Sequence, residues 1–433
     1  LYSFCQGTYH TGRKEVRPVY ASTTYNAMDI KRLREDTPCR NVYLNHVSTS
    51  VPPRQVVEAV SEYYCISTTF GSTSARGQSL TLDRVASARA ACAQMIGSAP
   101  EEICFTANGS QAISLVAQGL ELKAGDNVIV DGLSFIANAA PFLWLKKTKG
   151  IEVRFAPVTM PGITDLKGLE AMIDRSTRLI SICHMPNNLG MLQPVHEIGH
   201  IAKKHSVPYM LDAANTIGMQ TLNVSDIGCD FMAASGRKYL RGPSGSGFLY
   251  VNSNAAEMLE PLVPTWNSGT WDWREDKWDW DKNLFIPAPG AARMNMGEYD
   301  FPAIFGLGRA VEYVEECGGV EKIRQRTEQL LRYLIEKMNR VPGVQILGSL
   351  RAEDYGGMVG FNIKDVPFPA VGCHLNDNNV GVMAHSFFSP GVLKLFGVKG
   401  VVRFCVHCWN TEDELDYAVS LLSPENIRKT RQQ

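Results

Sequence analysis

The segment FMAASGRKYLRGPSGSGFLYV, residues 231–251, places one lysine, Lys238, between two apolar runs that are typical of β-strands. Glycine, serine and proline between the runs favour a turn. A lysine on a solvated helix normally lies among other charged residues at a helical spacing, and the surroundings of Lys238 do not have that pattern. The segment therefore predicts a strand–turn–strand unit, and it predicts that the single lysine in this unit has a functional role.

Strand-like and helix-like segments alternate in the chain before this unit. The apolar runs EEICFTA (101–107) and NVIVDG (127–132), for example, are each followed by a helix-like segment. This alternation predicts an α/β fold with a largely parallel sheet covered by helices, in which residues after the strands gather along one edge. From residue 301 onward, long helices and short strands predict a smaller α+β domain. We expect an N-terminal arm over 1–40, a large domain over 41–300 and a small domain over 301–433, with the start of the chain also contributing to the small domain.

Composition restricts the classes of partner. The 433 residues include 43 basic and 44 acidic residues, a net charge of -1, which argues against nucleic acid or an anionic membrane as partner and favours a small ligand. No apolar run approaches the roughly 20 residues that span a bilayer. Eleven scattered cysteines indicate a reduced, intracellular protein, so we expect a cytoplasmic location.

Two strand ends carry polar residues that could act together with Lys238. Asp212 follows the apolar run VPYML, where a buried carboxylate needs a cation or hydrogen-bond donors, although it could simply cap a helix. The segment FTANGSQAISLVA (105–117) forms a strand-to-helix junction of the kind that binds phosphate, although many such junctions are only turns. A lysine, a buried carboxylate and a phosphate-binding junction in one α/β sheet fit pyridoxal 5'-phosphate, abbreviated PLP.

These segments in this order resemble the class V aminotransferases of fold type I, in the branch that contains cysteine desulfurases, selenocysteine lyase, isopenicillin epimerase-like proteins and ergothioneine-pathway C–S lyases. The resemblance runs from about Val42 to the end of the chain, and it rests on SGRKYLRGPSGSGFLYV, LDAAN, MPNNLGMLQPV and GVVRFCVHCWNTEDELD. It implies a mostly parallel seven-stranded sheet in the large domain, PLP as cofactor and an amino acid as substrate. It also implies a homodimer with shared active sites, in which RMNMGEYD (293–300) reaches the neighbouring subunit.

The resemblance also implies a role for individual residues. Lys238 would form the Schiff base with PLP, and Asp212 would pair with the ring nitrogen. Arg403 would bind the substrate carboxylate, and His46 and His385 are further candidates for substrate contact. The remaining predicted cofactor contacts are Asn187 and Asn215 at the ring hydroxyl, Phe135 on the ring face, and Gly109, Ser110, Gln111, Ser235 and Arg237 at the phosphate. No metal is expected.

The reaction depends on how the enzyme uses the Cα carbanion common to this family. Desulfurases need a cysteine on a loop ahead of the carboxylate-binding arginine, and the corresponding segment here, VMAHSFFSPGVLK (382–394), has none. We therefore expect no persulfide sulfur transfer, and favour a lyase or a carbon–carbon bond-forming cyclase of specialised metabolism, similar to alkaloid-pathway relatives. A C–S lyase, an epimerase, an aminotransferase and a non-catalytic PLP-fold binding protein remain alternatives.

Three further patterns carry weaker functional predictions. Cys405 and Cys408 form a C-x-x-C pair with no second pair, and the histidines at 196, 200 and 205 lack a metal-binding motif, so we favour no metal or redox role for either group. Between Trp271 and Trp280, four tryptophans alternate with charged residues. This segment is either a structural edge strand or hairpin, or a lid or subunit contact near the active site.

Overall fold

The computed structural model describes residues 28–270, 285–386, 389–425 and 427. The strands are, in chain order, β1 (Val42–Tyr43), β2 (Ile103–Thr106), β3 (Asn127–Asp131), β4 (Glu152–Ala156), β5 (Val158–Thr159), β6 (Ile163–Thr164), β7 (Thr177–Cys183), β8 (Tyr209–Asp212), β9 (Phe231–Ser235), β10 (Gly247–Val251), β11 (Val344–Ile346), β12 (Met358–Ile363), β13 (Val380–Gly381), β14 (Met383–His385) and β15 (Val401–Cys405).

Helices follow most of the strands. They are α1 (Ile30–Asp36), α2 (Arg54–Phe70), α3 (Ala75–Ile96), α4 (Gly109–Gly119), α5 (Ile136–Lys149), α6 (Leu166–Ala171), α7 (Val195–Lys204), α8 (Val224–Ile227), α9 (Phe301–Glu316), α10 (Gly319–Asn339), α11 (Phe368–Asp377), α12 (Pro390–Phe396) and α13 (Glu412–Ser420). Within the described ranges, no helix is both long and apolar enough to cross a membrane.

The main sheet has seven strands in the order β2-β10-β9-β8-β7-β3-β4. Its five strands from β9 to β4 are parallel, and β10 runs antiparallel to both of its neighbours. Strands β8 and β9 are buried along their whole length, as expected for parallel strands that are covered on both faces. The predicted α/β fold with a mostly parallel seven-stranded sheet is confirmed.

A second sheet of four antiparallel strands, β11-β12-β15-β14, lies in the C-terminal part of the chain. An apolar cluster packs between this sheet and the neighbouring helices, with Leu334 of α10, Phe361 of β12 and Phe404 of β15 among its members. The N-terminal strand β1 pairs in parallel with β13. The start of the described chain therefore contacts the C-terminal part, while the boundaries at residues 40 and 300 stay predictions.

The loop after β3 and the start of α12 approach each other closely, at the edge of the main sheet where the parallel strands end. A Cβ atom at Gly391 would lie 1.7 Å from the carbonyl oxygen of Gly132, so only glycine permits this contact.

Residues 1–27 of the predicted N-terminal arm lie outside the described residues, and the remainder of the arm includes α1.

Candidate active site

A cavity of about 530 Å³ lies at the carboxyl ends of β8 and β9. Because these strands are parallel and adjacent, the residues that follow them meet at one edge of the sheet. The α4 junction and the loop after β1 complete the walls. The predicted site residues that line this cavity are Gly109, Ser110, Phe135, Asn187, Asp212, Ser235, Arg237 and Lys238.

Lys238 lies in the turn that follows β9, as the sequence predicts. Its Nζ donates a hydrogen bond of 2.6 Å to Oδ1 of Asn215, and it lies 5.8 Å from the centroid of the Phe135 ring. Burial lowers the pKa of the Lys238 amine, and the nearby Asp212 carboxylate partly opposes that shift. Lys238 is therefore closer to its neutral, nucleophilic form than a solvated lysine.

Asp212 ends β8, and its Oδ1 accepts a 3.0 Å hydrogen bond from the backbone N–H of Ala214. Burial raises the pKa of the Asp212 carboxyl, and the positive charge of Lys238 counteracts this. A buried carboxylate with one backbone donor can accept a further cationic or N–H partner from the cavity. A protonated pyridine nitrogen is a partner of this kind.

The start of α4 forms the predicted phosphate site. Asn108 caps this helix, since its side chain accepts a 2.9 Å hydrogen bond from the backbone N–H of Gln111. A Cβ atom at Gly109 would lie 3.1 Å from Cβ of Ala214, so the glycine lets the helix approach the loop after β8. Ser110 and Arg237 line the same part of the cavity. Together with the helix N-terminus they supply the donors and positive charge that suit a phosphate.

Gln111 points away from this cavity. Its Oε1 accepts a 2.6 Å hydrogen bond from the backbone N–H of Ala107, and its Nε2 lies 3.2 Å from Sδ of Met296. The residue lines a neighbouring cavity of about 230 Å³ instead. Its predicted contact with the cofactor therefore gains no support from the structure and stays a prediction.

Arg403 lies on β15 with no exposed surface. Its Nη1 donates a 2.8 Å hydrogen bond to the backbone carbonyl of Asn187, and its Nη2 donates one of 2.9 Å to Oγ of Ser48. Burial lowers the pKa of this guanidinium. Within the part of the chain that the structure describes, no ion pair includes Arg403. Because a buried, unpaired cation is costly, the site favours an anionic ligand near Arg403.

His46 is not among the residues that line the cavity. The side chain of His46 is fully buried, with Nδ1 2.6 Å from Oγ of Ser50, and its ring packs edge-on against Trp409. Burial lowers the pKa of His46 well below its usual value. The predicted substrate contact by His46 gains no support from this position. The backbone of His385 lies in β14, and its side chain is outside the described residues, as are the tryptophans of the 271–280 segment.

Sequence reasoning missed the loop after β1, where Val47, Ser48 and Thr49 line the cavity. The available signal was the short polar run STS (48–50), which directly follows the apolar segment VYLNHV. Such a run at a strand end is also common in ordinary turns, so it did not single out these residues.

The residues around the cavity fit PLP. They provide an amine whose pKa is lowered by burial, a buried carboxylate, an aromatic face and a helix N-terminus with a nearby arginine. These groups match the aldehyde, the ring nitrogen, the ring and the phosphate of the cofactor.

Residues 42–418 match the family described as Aminotransferase class-V. The chain belongs to this family. It is 31% identical to a probable cysteine desulfurase of Methanothermobacter thermautotrophicus, over 90% of this chain and 96% of that protein. Its fold is similar to the apo structure of the cysteine desulfurase from Thermococcus onnurineus NA1, with a TM-score of 0.84 and 26% identity over 92% of this chain and 98% of that one. A C-DES variant with glycine covalently linked to its PLP cofactor also shares the fold, with a TM-score of 0.80 and 23% identity over 89% of this chain and 98% of that one.

Family membership confirms the fold-type I architecture, the PLP cofactor and the classification as a PLP-dependent enzyme. The expected reaction was wrong, because the Methanothermobacter relative is named a probable cysteine desulfurase and the Thermococcus structure a cysteine desulfurase, a class of enzyme that transfers persulfide sulfur. These names contradict the expectation of a lyase or cyclase that does not transfer sulfur. Its premise was the absence of cysteine from residues 382–394, whereas Cys65 and Cys373 are exposed elsewhere in the chain.

Proposed function

We propose that this class-V enzyme is a cysteine desulfurase, which converts L-cysteine and an acceptor thiol into L-alanine and the persulfide of that thiol. The observation that carries the proposal is the position of Lys238 and Asp212 in a cavity whose wall contacts a buried arginine, Arg403, which forms no ion pair within the described residues. This arrangement suits a zwitterionic amino acid, because the amine meets the lysine side and the carboxylate meets the arginine side. The 31% identity to a probable cysteine desulfurase supports cysteine as that amino acid.

When bound, PLP supplies an aldehyde that attaches amines covalently and a ring that accepts the electron pair left at Cα. Lys238 would hold the cofactor at Nζ and then, in its neutral form, remove the Cα proton. Its lowered pKa favours this role, because a protonated amine cannot act as a base. Asp212 would keep the ring nitrogen protonated, and Asn215, which holds Nζ of Lys238 at 2.6 Å, would orient the amine.

Sulfur transfer breaks the Cβ–S bond of cysteine and forms an S–S bond. The acceptor thiolate attacks the substrate sulfur, the Cβ–S electron pair goes to carbon, and a proton completes the methyl group of alanine. No external oxidant or reductant is needed, since the sulfur becomes the outer atom of the persulfide. The step requires a thiolate that can reach the sulfur.

The described cysteines differ in their suitability as acceptors. Cys65 of α2 and Cys373 of α11 are exposed. Cys405 and Cys183 are buried, and burial raises the pKa of both thiols, to about 11 for Cys405. Because a raised pKa removes thiolate at neutral pH, buried thiols are poor acceptors. We therefore assign the acceptor role to an exposed thiol of the chain or to a thiol in solution.

We also propose that the enzyme is a homodimer. Met296 is 42% exposed and lies in the 293–300 segment, beside the 230 Å³ cavity that adjoins the α4 junction. A neighbouring subunit that covers this apolar surface would close the phosphate side of the site. Light scattering of the holoenzyme should give twice the monomer mass, and a strictly monomeric, active enzyme would contradict the proposal.

The desulfurase proposal is tested by incubating the holoenzyme with L-cysteine and excess dithiothreitol. We expect alanine and sulfide in equal amounts, because dithiothreitol releases sulfide from a persulfide. Formation of pyruvate and ammonia instead would identify a β-elimination and refute desulfuration. The Lys238→Ala variant controls for cofactor-catalysed background, and a Cys65→Ser, Cys373→Ser double variant shows whether either of these two thiols relays the sulfur.

A further inference from the structure

The turn that carries Lys238 is held by a hydrogen bond at each of four consecutive backbone carbonyls. The first three accept from backbone N–H groups over N···O distances of 2.7, 2.8 and 2.9 Å: Gly236 from Gly242, Arg237 from Ser50, and Lys238 from Arg241. The fourth carbonyl, that of Tyr239, lies 3.0 Å from Nε2 of the His407 side chain. One side chain therefore completes a set of contacts that the backbone otherwise supplies.

The proton on the His407 ring can be placed from its second nitrogen. Nδ1 lies 2.9 Å from the backbone nitrogen of Cys408, whose N–H can only donate. Nδ1 must therefore be the acceptor, and in a neutral imidazole the proton then lies on Nε2. Burial, together with the positive charge of Arg241, lowers the pKa of His407 to about 3, so the ring is neutral at physiological pH. It follows that Nε2 donates to the carbonyl oxygen of Tyr239.

Packing fixes the ring of His407 in this orientation. The ring stacks on that of Tyr239, with centroids 6.0 Å apart and planes inclined by 20°, and the ring of His46 lies 5.3 Å away. The hydroxyl of Tyr239 in turn donates a 2.9 Å hydrogen bond to the carbonyl oxygen of Gly357. Both aromatic side chains are buried, so the donor and its acceptor are held in register.

The His407 contact links two distant parts of the chain. His407 lies two residues after β15 of the C-terminal sheet, and 168 residues separate it from Tyr239. At the other side of the turn, Nζ of Lys238 donates to Oδ1 of Asn215 at 2.6 Å. A shift of the turn would move this amine relative to the cavity, and a misplacement of about 1 Å at a reacting group can reduce a rate by about a hundredfold.

We propose that His407 is a positioning residue for Lys238, whose Nε2–H fixes the carbonyl of Tyr239 and thereby the turn that directs the Lys238 amine into the cavity. In the segment CVHC (405–408), the histidine and not the cysteines is then the functional residue. This inference rests on the proposed role of Lys238, but it does not depend on which bond of the substrate is later broken.

The test compares His407→Gln with His407→Asn in the holoenzyme. The amide nitrogen of glutamine reaches the position of Nε2, whereas that of asparagine ends near the position of Nδ1, so only glutamine can keep the bond to Tyr239. We expect His407→Asn to lower kcat for consumption of L-cysteine by about tenfold with little change in KM, and His407→Gln to keep most of kcat. Visible circular dichroism per bound cofactor should weaken in His407→Asn only, because a misplaced lysine holds the cofactor less uniformly.

The control for general destabilisation is Ile335→Val, a small core change in α10 of the C-terminal part. It should leave kcat and the circular dichroism unchanged, and a melting temperature is measured for every variant. Equal losses in His407→Gln and His407→Asn would overturn the proposal, because the ring would then only fill space. A folded His407→Asn variant with normal kcat and dichroism would also overturn it, as would the same losses in Ile335→Val.

A measurement on the wild type does not depend on how the variants fold. NMR of the ¹⁵N-histidine-labelled enzyme should show a neutral histidine that is protonated at Nε2 and does not titrate from about pH 5 to about pH 9, and the lack of one would overturn the proposal. Because cysteine consumption is followed, formation of pyruvate in place of alanine would refute the desulfurase proposal and leave the His407 inference standing. In an enzyme that does not consume cysteine, the dichroism comparison still decides the His407 inference.

Discussion

Replacement of Arg403 by alanine should lower kcat/KM for L-cysteine by at least about tenfold, because the substrate carboxylate loses a charge-assisted hydrogen bond worth roughly 1.5–3 kcal/mol. The 2.9 Å bond from Nη2 of Arg403 to Oγ of Ser48, a residue that lines the cavity, places the guanidinium next to the cavity wall. Lysine at position 403 should restore only part of the activity. A single ammonium cannot reproduce the fork that contacts Ser48 and Asn187 together.

The assay measures kcat and KM for alanine formation in the wild type, Arg403→Ala and Arg403→Lys, together with cofactor content from visible absorbance. The loss should fall mainly on KM, since the carboxylate is bound both before and during the reaction. Because Arg403 is fully buried, its removal leaves a cavity, so each variant also needs a melting temperature. Arg237→Ala is the comparison, since Arg237 lines the predicted phosphate side and its loss should release cofactor.

Two results would refute this reasoning. One is an unchanged kcat/KM for cysteine in a folded Arg403→Ala variant that retains its cofactor. The other is loss of cofactor from Arg403→Ala but not from Arg237→Ala, which would move Arg403 from the substrate to the phosphate.

Three other predictions address the lysine, a buried carboxyl and the thiols. Lys238→Ala should abolish turnover and the borohydride-sensitive visible absorbance while keeping the fold, and normal absorbance in this variant would contradict the assignment. Burial raises the pKa of Asp131 to about 6, so the contribution of this carboxyl to stability should fall as pH rises from 4 to 6, by up to about 3 kcal/mol, since the unfolded carboxyl ionises first. Urea unfolding at pH 4 and 7 should show that the stability of the wild type relative to Asp131→Asn is lower at pH 7 than at pH 4, and an equal difference at the two pH values would contradict this. In peptide mapping after brief alkylation, Cys65 and Cys373 should be labelled and Cys405 should not, so early labelling of Cys405 would contradict its burial.

Local patterns in the sequence were sufficient to predict the fold class. The buried run before Asp212 and the strand–turn–strand unit around Lys238 are local features, because strand burial and turn chemistry depend on neighbouring residues. Parallel neighbouring strands then place both residues at one sheet edge. The absence of cysteine from residues 382–394 is also a fact of the sequence, but the conclusion drawn from it was wrong, since the similar proteins named cysteine desulfurases contradict it.

Side-chain direction and long-range contact were decided only by the tertiary structure. Gln111 follows two residues that line the main cavity, yet the turn of α4 directs it to the neighbouring one. His46 and Ser48 lie two residues apart, but one packs against Trp409 in the core and the other lines the cavity. Ser48 and Arg403 are 355 residues apart in the chain. Sequence alone identified the lysine and the carboxylate by their chemistry, and the arginine through the family resemblance. The hydroxyl that contacts the arginine at the cavity wall required the folded chain, because no local pattern records a contact over that separation.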